Sequence, residues 1–245
     1  MILHGDCLEL MKDIPDGSID MILCDLPYGT TACKWDTVIP FEPLWEQYER
    51  IIKDSGAIVL TSMQPFASAL TMSNIKLFKY EWIWNKSKAT GFLNAKKQPL
   101  RSHENVLVFY KKQPTYNPQM VKGELHHRGQ KAQSKQTTVY GNFSFDLYYS
   151  DEYYPQTVRF FNVQERAIHP TQKPVALFEY LIKTYTNEGE TVLDNCAGSG
   201  TTAIACINTN RKYICMEKDE TYYKLMCERV KTISYSKTNS HIQIV

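Results

Sequence analysis

A buried strand, a glycine turn and a helix follow one another between Thr191 and Asn208. TVLDNC is an apolar run of strand length, AGSG is a tight turn, and TTAIACIN is typical of a helix. A further strand, KYICME, and a last helix, DETYYKLMCERVK, complete the pattern. Strands and helices that alternate in this way predict an open, largely parallel sheet with helices on both faces.

The N-terminal half of the chain shows the same alternation. Apolar runs predict strands at residues 1–4, 19–24 and 56–62, and helices at residues 41–53 and from Pro65. KYEWIWNK and ENVLVFYKK predict two further strands, as an antiparallel pair. The periodicity fails from Lys112 to Ile168, a stretch too long for an ordinary loop. The sequence therefore predicts a doubly wound α/β domain, formed by residues 1–111 and 169–245, with an insert at 112–168.

The composition excludes several classes of protein. Asp6 and Glu9 precede any long apolar run, which argues against a signal peptide, and no apolar run approaches the length of a membrane span. The seven cysteines are odd in number and form no CxxC pair, which argues against a zinc site and a disulfide framework. We therefore expect a cytoplasmic protein with no membrane contact and no bound metal.

Positive charge is concentrated in one part of the chain. The segment from Asn85 to Lys135 holds 11 Lys or Arg against two Glu, whereas the other residues hold 17 basic and 24 acidic groups. Such asymmetry favours a polyanionic partner over a solvated lysine-rich loop. The candidates for phosphate contacts are Lys86, Lys88, Lys96, Lys97 and Arg101.

The glycine turn has the features of a nucleotide site. Gly198 and Gly200 permit a close approach of the backbone, and the free amides of the following helix face a polar ligand. Glu217 ends the next strand, where an acid accepts hydrogen bonds from ribose hydroxyls. This order favours an adenosine cofactor. A dinucleotide is disfavoured because no second glycine fingerprint follows a strand elsewhere.

A carboxylate, Asp25, ends the buried strand MILC and begins the motif DLPY, from Asp25 to Tyr28. Charges are kept out of such places unless they are paired or used. DLPY, then HPTQKP at His169–Pro174, then DNCAGSGTT from Asp194 resemble, in this order, the β-class amino DNA methyltransferases that use S-adenosylmethionine. Leu26 replaces the first proline of the family motif, and Asn195 and Cys196 stand where the family has Pro-Phe.

The resemblance implies a Rossmann-like methyltransferase sheet and double-stranded DNA as substrate. Residues 1–111 would be its catalytic half, 112–168 its target-recognition insert and 169–245 its cofactor-binding half. A homodimer and a restriction endonuclease partner are both compatible with it, and the sequence decides neither. A base inside a duplex cannot reach an enclosed site, so the target base would be flipped out.

The resemblance also assigns roles to residues. Asp25 and the main-chain carbonyl of Leu26 would accept the two hydrogens of an exocyclic amine, Pro27 would fix the direction of that carbonyl, and Tyr28 would stack on the base. The residues expected at S-adenosylmethionine are Asp6, Thr171, Lys173, Asp194, Ala197, Gly198, Ser199, Gly200, Thr201, Thr202 and Glu217. Asp6 equally suits the N-cap of the helix that follows it.

Asp25 points to adenine N6, because the family associates Asp at this position mostly with adenine and Ser mostly with cytosine N4. Cytosine N4 is the near alternative. A second alternative is a non-catalytic DNA-binding subunit. The intact Asp25, Pro27 and Tyr28 argue against it. An enzyme that methylates RNA or protein is a third, and the basic segment favours nucleic acid over protein.

Overall fold

The main unit of the protein contains a sheet of eight described strands. The computed structural model describes residues 1–31, 33, 36–128, 148–163 and 172–242. The strands are β1 (Ile2–His4), β2 (Ile19–Asp25), β3 (Ile52–Ser62), β4 (Phe78–Thr90), β5 (Arg101–Phe109), β6 (Val121–Arg128), β7 (Tyr148–Tyr153), β8 (Val158–Phe161), β9 (Thr191–Asp194) and β10 (Lys212–Glu217). The helices are α1 (Cys7–Leu10), α2 (Phe41–Ile51), α3 (Phe66–Ser73), α4 (Val175–Tyr185), α5 (Thr201–Asn208) and α6 (Glu220–Ile242).

The strand order in the main sheet is β1-β10-β9-β2-β3-β5-β4-β8. Neighbouring strands are parallel except in the pairs β3–β5 and β5–β4, which are antiparallel. The predicted doubly wound, mostly parallel α/β sheet and the predicted antiparallel pair are therefore confirmed. Because β9 lies beside β2 with Ile22 opposite Leu193, the two strands that carry the sequence motifs end at the same edge of the sheet.

Helices cover both faces of this sheet, because the central strands direct apolar side chains alternately to one face and to the other. Ile22 and Cys24 of β2 pack in one buried cluster with residues of α1, α2 and α3. Met21 and Leu23 pack in another buried cluster with residues of α4 and α5. Burial on both faces explains why β2 is a continuous apolar run. α6 packs against α5 in a third cluster that includes Met226.

A second compact unit spans Pro118–Gln156. In it β6 pairs antiparallel with β7, and His126 stacks on Tyr153 with ring centroids 4.1 Å apart. This unit is shorter than the insert expected at 112–168. On the C-terminal side the difference arises because β8 pairs with β4 and so belongs to the main sheet. Among the described residues, no helix is both long and apolar enough to cross a membrane.

Candidate active site

A cavity of about 880 Å³ opens at the carboxyl ends of the parallel strands of the main unit. In open α/β sheets, ligands bind at the carboxyl ends of the strands. The site lies between two neighbouring strands whose following connections run to opposite faces of the sheet. The cavity is lined by all four residues of DLPY, by Asp6 and Lys173, and by Asp194, Ala197, Gly198, Ser199, Thr201 and Glu217. Motifs separated by some 150 residues of sequence therefore share one site.

Asp25 ends β2, and three groups hold its carboxylate. The hydroxyl groups of Tyr28 and Thr61 donate to Asp25 Oδ1 at 2.7 and 2.5 Å, and Lys173 Nζ donates to Oδ2 at 2.8 Å. Thr61 lies opposite Asp25 in the β2–β3 register, so the sheet itself supplies this partner. Burial raises the pKa of the Tyr28 phenol well above its usual value, so Tyr28 is a neutral donor. The Asp25 side chain is 21% exposed, which leaves it open to the cavity.

The Tyr28 ring packs against protein rather than standing free. It stacks on Phe66 with ring centroids 5.1 Å apart, and the ammonium group of Lys173 lies 5.4 Å from its centre. These contacts fix the phenol where it donates to Asp25. The predicted stacking of Tyr28 on a base stays a prediction.

Behind Asp25 lies a buried network of charges. Lys173 Nζ is also 3.2 Å from Glu104 Oε2, and Lys86 Nζ is 3.1 Å from Glu104 Oε1. Burial opposes the charge on Lys173, but the Asp25 and Glu104 carboxylates outweigh it and raise the pKa of Lys173. Burial also opposes ionisation of Glu104, but Lys173 and Lys86 lower the pKa of Glu104. The network therefore holds Lys173 as a cation beside Asp25.

We expect Glu104→Gln to lower the free energy of unfolding by about 3 kcal/mol, because it leaves two buried ammonium groups with one negative charge fewer. Glutamine keeps the shape of the side chain, so the effect reports on charge. Chemical denaturation measures it. Asp54→Asn is the control, since it breaks the exposed Lys112–Asp54 pair and should change stability little. Equal losses of stability in the two variants would contradict the importance of the buried network.

The structure changes the interpretation of two lysines. We predicted Lys86 as a phosphate contact, but its side chain is only 3% exposed and pairs with Glu104. This burial and this ion pair argue against a phosphate contact at Lys86, which stays a prediction. We expected Lys173 at S-adenosylmethionine; it lines the cavity, and its ammonium group lies against Asp25 and Glu104. Thr171 lies outside the described residues.

The conformation of the glycine turn is fixed by hydrogen bonds within the protein. Asp194 accepts hydrogen bonds from the Cys196 N–H at 3.0 Å and from the buried Thr202 hydroxyl. Burial raises the pKa of Asp194 to about 7. Thr202 and Gly200 are not among the described residues that line the cavity, so we assign them to the shape of the turn rather than to ligand contacts. Asn195, a departure from the family pattern, is fixed by the Tyr48 hydroxyl at 2.6 Å.

The predicted adenosine end of the cavity carries two acids. Glu217 ends β10 and accepts hydrogen bonds from the N–H groups of Gly198 at 2.7 Å and Asp219 at 2.8 Å. Asp6 caps α1 by accepting from Leu8 N at 3.0 Å, and Lys218 Nζ lies 2.9 Å from its other oxygen. The N-cap role considered for Asp6 is therefore confirmed. Both carboxylates keep lone pairs for further hydrogen bonds, and so the residues present fit an adenosine group.

The sequence analysis did not identify three residues that form hydrogen bonds or ion pairs in this site. Glu104 and Thr61 were overlooked because their pairing depends on the sheet and not on any local motif. Asp36 was also missed. It is buried and accepts from the N–H groups of Gly29, Thr30 and Thr31 at 2.7–2.9 Å, which fixes the chain after DLPY. The only sequence signal was an acid five to seven residues after a glycine-containing turn.

Several known proteins are similar to this chain in sequence. A family model described as DNA methylase matches residues 19–228. DNA adenine methyltransferase YhdJ of Escherichia coli (strain K12) is 30% identical over 253 residues, covering 96% of this chain and 83% of that protein. Type II methyltransferase M.HinfI of Haemophilus influenzae is 28% identical over 267 residues, covering 95% of this chain and 68% of that protein.

Two solved structures show the same fold. The crystal structure of an M1.HpyAVI–SAM complex has a TM-score of 0.63 and 23% identity, and the match covers 94% of this chain and 100% of that one. PvuII DNA methyltransferase, described as cytosine-N4-specific, has a TM-score of 0.66 and 15% identity, with 92% and 84% covered.

The fold is that of a doubly wound α/β protein, and the cavity at the carboxyl ends of its strands has residues that fit an adenosine-containing cofactor. The chain belongs to the DNA methylase family, since that model matches most of its length. It is a DNA methyltransferase, and the expected cofactor, S-adenosylmethionine, is confirmed for the family to which it belongs.

Proposed function

We propose that this protein methylates the exocyclic N6 amine of an adenine flipped out of double-stranded DNA. The observation that carries the proposal is the Asp25 carboxylate, held on both oxygens beside the cofactor turn and open to the cavity. An exocyclic amine is a poor nucleophile because its lone pair is delocalised into the ring. Acceptors on its hydrogens draw the nitrogen towards a tetrahedral geometry and free that lone pair.

Each residue of the motif has a part in this arrangement. Asp25 accepts one hydrogen of the amine, and its fixed position means that little reorganisation is needed during the reaction. The Leu26 carbonyl accepts the other, and Pro27 restricts the backbone on both sides of it. S-adenosylmethionine, when bound, supplies an electrophilic methyl group. The walls of the cavity hold amine and cofactor together, which removes much of the entropic barrier of a reaction between two molecules.

The choice of adenine rests on Asp25 and on the sequence relatives. Asp stands where the family has mostly Asp in adenine enzymes and mostly Ser in cytosine enzymes, and a 30% identical relative is named a DNA adenine methyltransferase. The likeness to the cytosine-N4-specific PvuII enzyme is one of fold, at 15% identity.

Expression in a methylation-free host followed by base-resolved sequencing of its DNA tests this proposal. We expect N6-methyladenine within one short recognition sequence. Methyl groups on cytosine N4 would contradict the choice of base, and unmodified DNA would contradict the catalytic assignment. The same experiment maps the recognition sequence. A restriction endonuclease partner, a homodimer and a cytoplasmic location stay predictions.

We expect DNA binding to depend on salt through Lys96, Lys97 and Arg101, all of which are exposed. Replacing all three with Gln should weaken binding to every DNA sequence alike. The logarithm of the binding constant falls linearly with the logarithm of the salt concentration, and we call the size of this slope the salt slope. The variant should lower the salt slope by roughly one for each phosphate that it no longer neutralises. Fluorescence anisotropy at several salt concentrations measures both quantities.

The matched control neutralises three exposed lysines of other elements, Lys183, Lys212 and Lys231. This control should leave the salt slope unchanged. Equal slopes for the two triple variants would mean that the DNA-binding face lies elsewhere.

A further inference from the structure

Large apolar side chains are exposed between β4 and β5, two of them by more than three quarters of their surface. In this connection, which we call the tip (residues 91–100), Phe92 is 76% and Leu93 is 85% exposed. Gly91 turns the chain with φ +90°, and the backbone N–H groups of Asn94 and Ala95 bond back to Gly91 and Phe92 at 3.0 and 3.1 Å. The tip is therefore ordered by its own hydrogen bonds, and it presents apolar surface that the fold does not use.

The charge around the tip selects one kind of partner. From Lys86 to Arg101 the chain contains five basic residues and no Asp or Glu. Lys88, Lys96, Lys97 and Arg101 are exposed on both sides of Phe92 and Leu93. An apolar pair flanked only by positive charge is complementary to nucleic acid, whose charged backbone encloses an apolar stack of bases.

The tip also lies next to the active-site cavity. Lys88, Ala89 and Thr90 line the cavity, and Phe92 follows Thr90 by two residues. Two residues span at most about 7 Å, so Phe92 lies close to the wall of the cavity. A base that leaves a duplex to enter this cavity leaves a gap in the stack close to the same place.

We propose that Phe92 and Leu93 form a wedge that enters double-stranded DNA at the position vacated by the target base. This inference rests on the proposed base-flipping function. The wedge stacks on the bases that the flipped base has left and keeps water out of the gap, as apolar side chains do in proteins that kink DNA. Lys96, Lys97 and Arg101 hold the phosphates on either side.

The test compares paired and mispaired target bases in duplex oligonucleotides that carry the mapped recognition sequence. Single-turnover methyl transfer is measured for the wild type and for the double variant Phe92→Ala, Leu93→Ala. A mispaired base is flipped more easily, so the rate of the variant should fall about tenfold on the paired duplex and much less on the mispaired one. Tyr235→Ala, which truncates a 72% exposed aromatic on α6, should not affect either substrate.

Calorimetric binding of S-adenosylmethionine by the double variant shows that it is folded. Normal transfer to the paired duplex, or an equal fall in rate on both duplexes, would overturn the wedge. Unchanged transfer with a loss of dimer in sedimentation would make the tip a subunit contact and also overturn it. A wild type that transfers no methyl group to DNA overturns the proposed function, and with it the wedge.

Discussion

Asp25→Ala is expected to reduce single-turnover methyl transfer by roughly 100- to 1,000-fold, the usual effect of removing one preorganised group of this kind. Binding of S-adenosylmethionine should remain, because Glu217 and the glycine turn lie on other strands. The measurements are transfer to methylation-free DNA and calorimetry of cofactor binding. Near-normal transfer would mean that the carboxylate does not act on the amine.

Alanine also removes a partner of Lys173 and an acceptor for Tyr28 and Thr61, so a second variant separates chemistry from folding. Asp25→Asn keeps the volume of the side chain and one acceptor oxygen. Donors lie against both oxygens of Asp25, so the NH₂ group of asparagine faces a donor in either orientation of the amide. We expect a folded protein that is also strongly impaired in transfer.

Leu26→Pro, unlike Asp25→Ala, keeps the acceptor that we assign to residue 26. The acceptor is the main-chain carbonyl, which proline has as well as leucine. Activity should persist. The Leu26 side chain is 3% exposed in the cluster that includes Ile22 and Cys24, so we expect lower stability because the smaller ring fills the core less well. A folded but inactive Leu26→Pro would contradict the role assigned to this carbonyl.

The sequence predicted those parts of the site that are local in the chain. The acid that ends β2 and the glycine turn that follows β9 could be located because each stands at a strand end beside a recognisable motif. Glu104 and Thr61 could not, since they reach Asp25 or Lys173 only through sheet pairing and through contacts with residues far along the chain. The basic segment could be counted, but a count does not separate Lys86, which is buried, from Lys96, which is exposed.

Gly200 is a second case in which the motif predicts the residue but not the contact that requires it. The motif predicts a glycine because a side chain would obstruct the ligand. In the structure Gly200 has φ +81°, and an added Cβ would lie 2.7 Å from Cγ of the buried Met226 on α6. The obstruction therefore arises within the protein, between the turn and α6, and the sequence of the turn alone does not identify Met226.

Gly200→Val is expected to abolish S-adenosylmethionine binding and to lower the free energy of unfolding by about 2–5 kcal/mol, from left-handed backbone strain and overpacking together. The collision with Met226 displaces the turn that carries Gly198 and its hydrogen bond to Glu217. Calorimetry measures the first effect and chemical denaturation the second.

Gly189→Val is the matched control for this prediction. Gly189 has the same φ of +81°, but an added Cβ meets nothing within 4 Å, so the variant carries the backbone strain without the collision. It should retain cofactor binding and be destabilised less. Adding Met226→Ala to Gly200→Val should recover part of the cofactor binding, because it removes the atoms that the new side chain meets. If Gly200→Val binds the cofactor normally and is no less stable than Gly189→Val, the contact with Met226 does not set the shape of the turn.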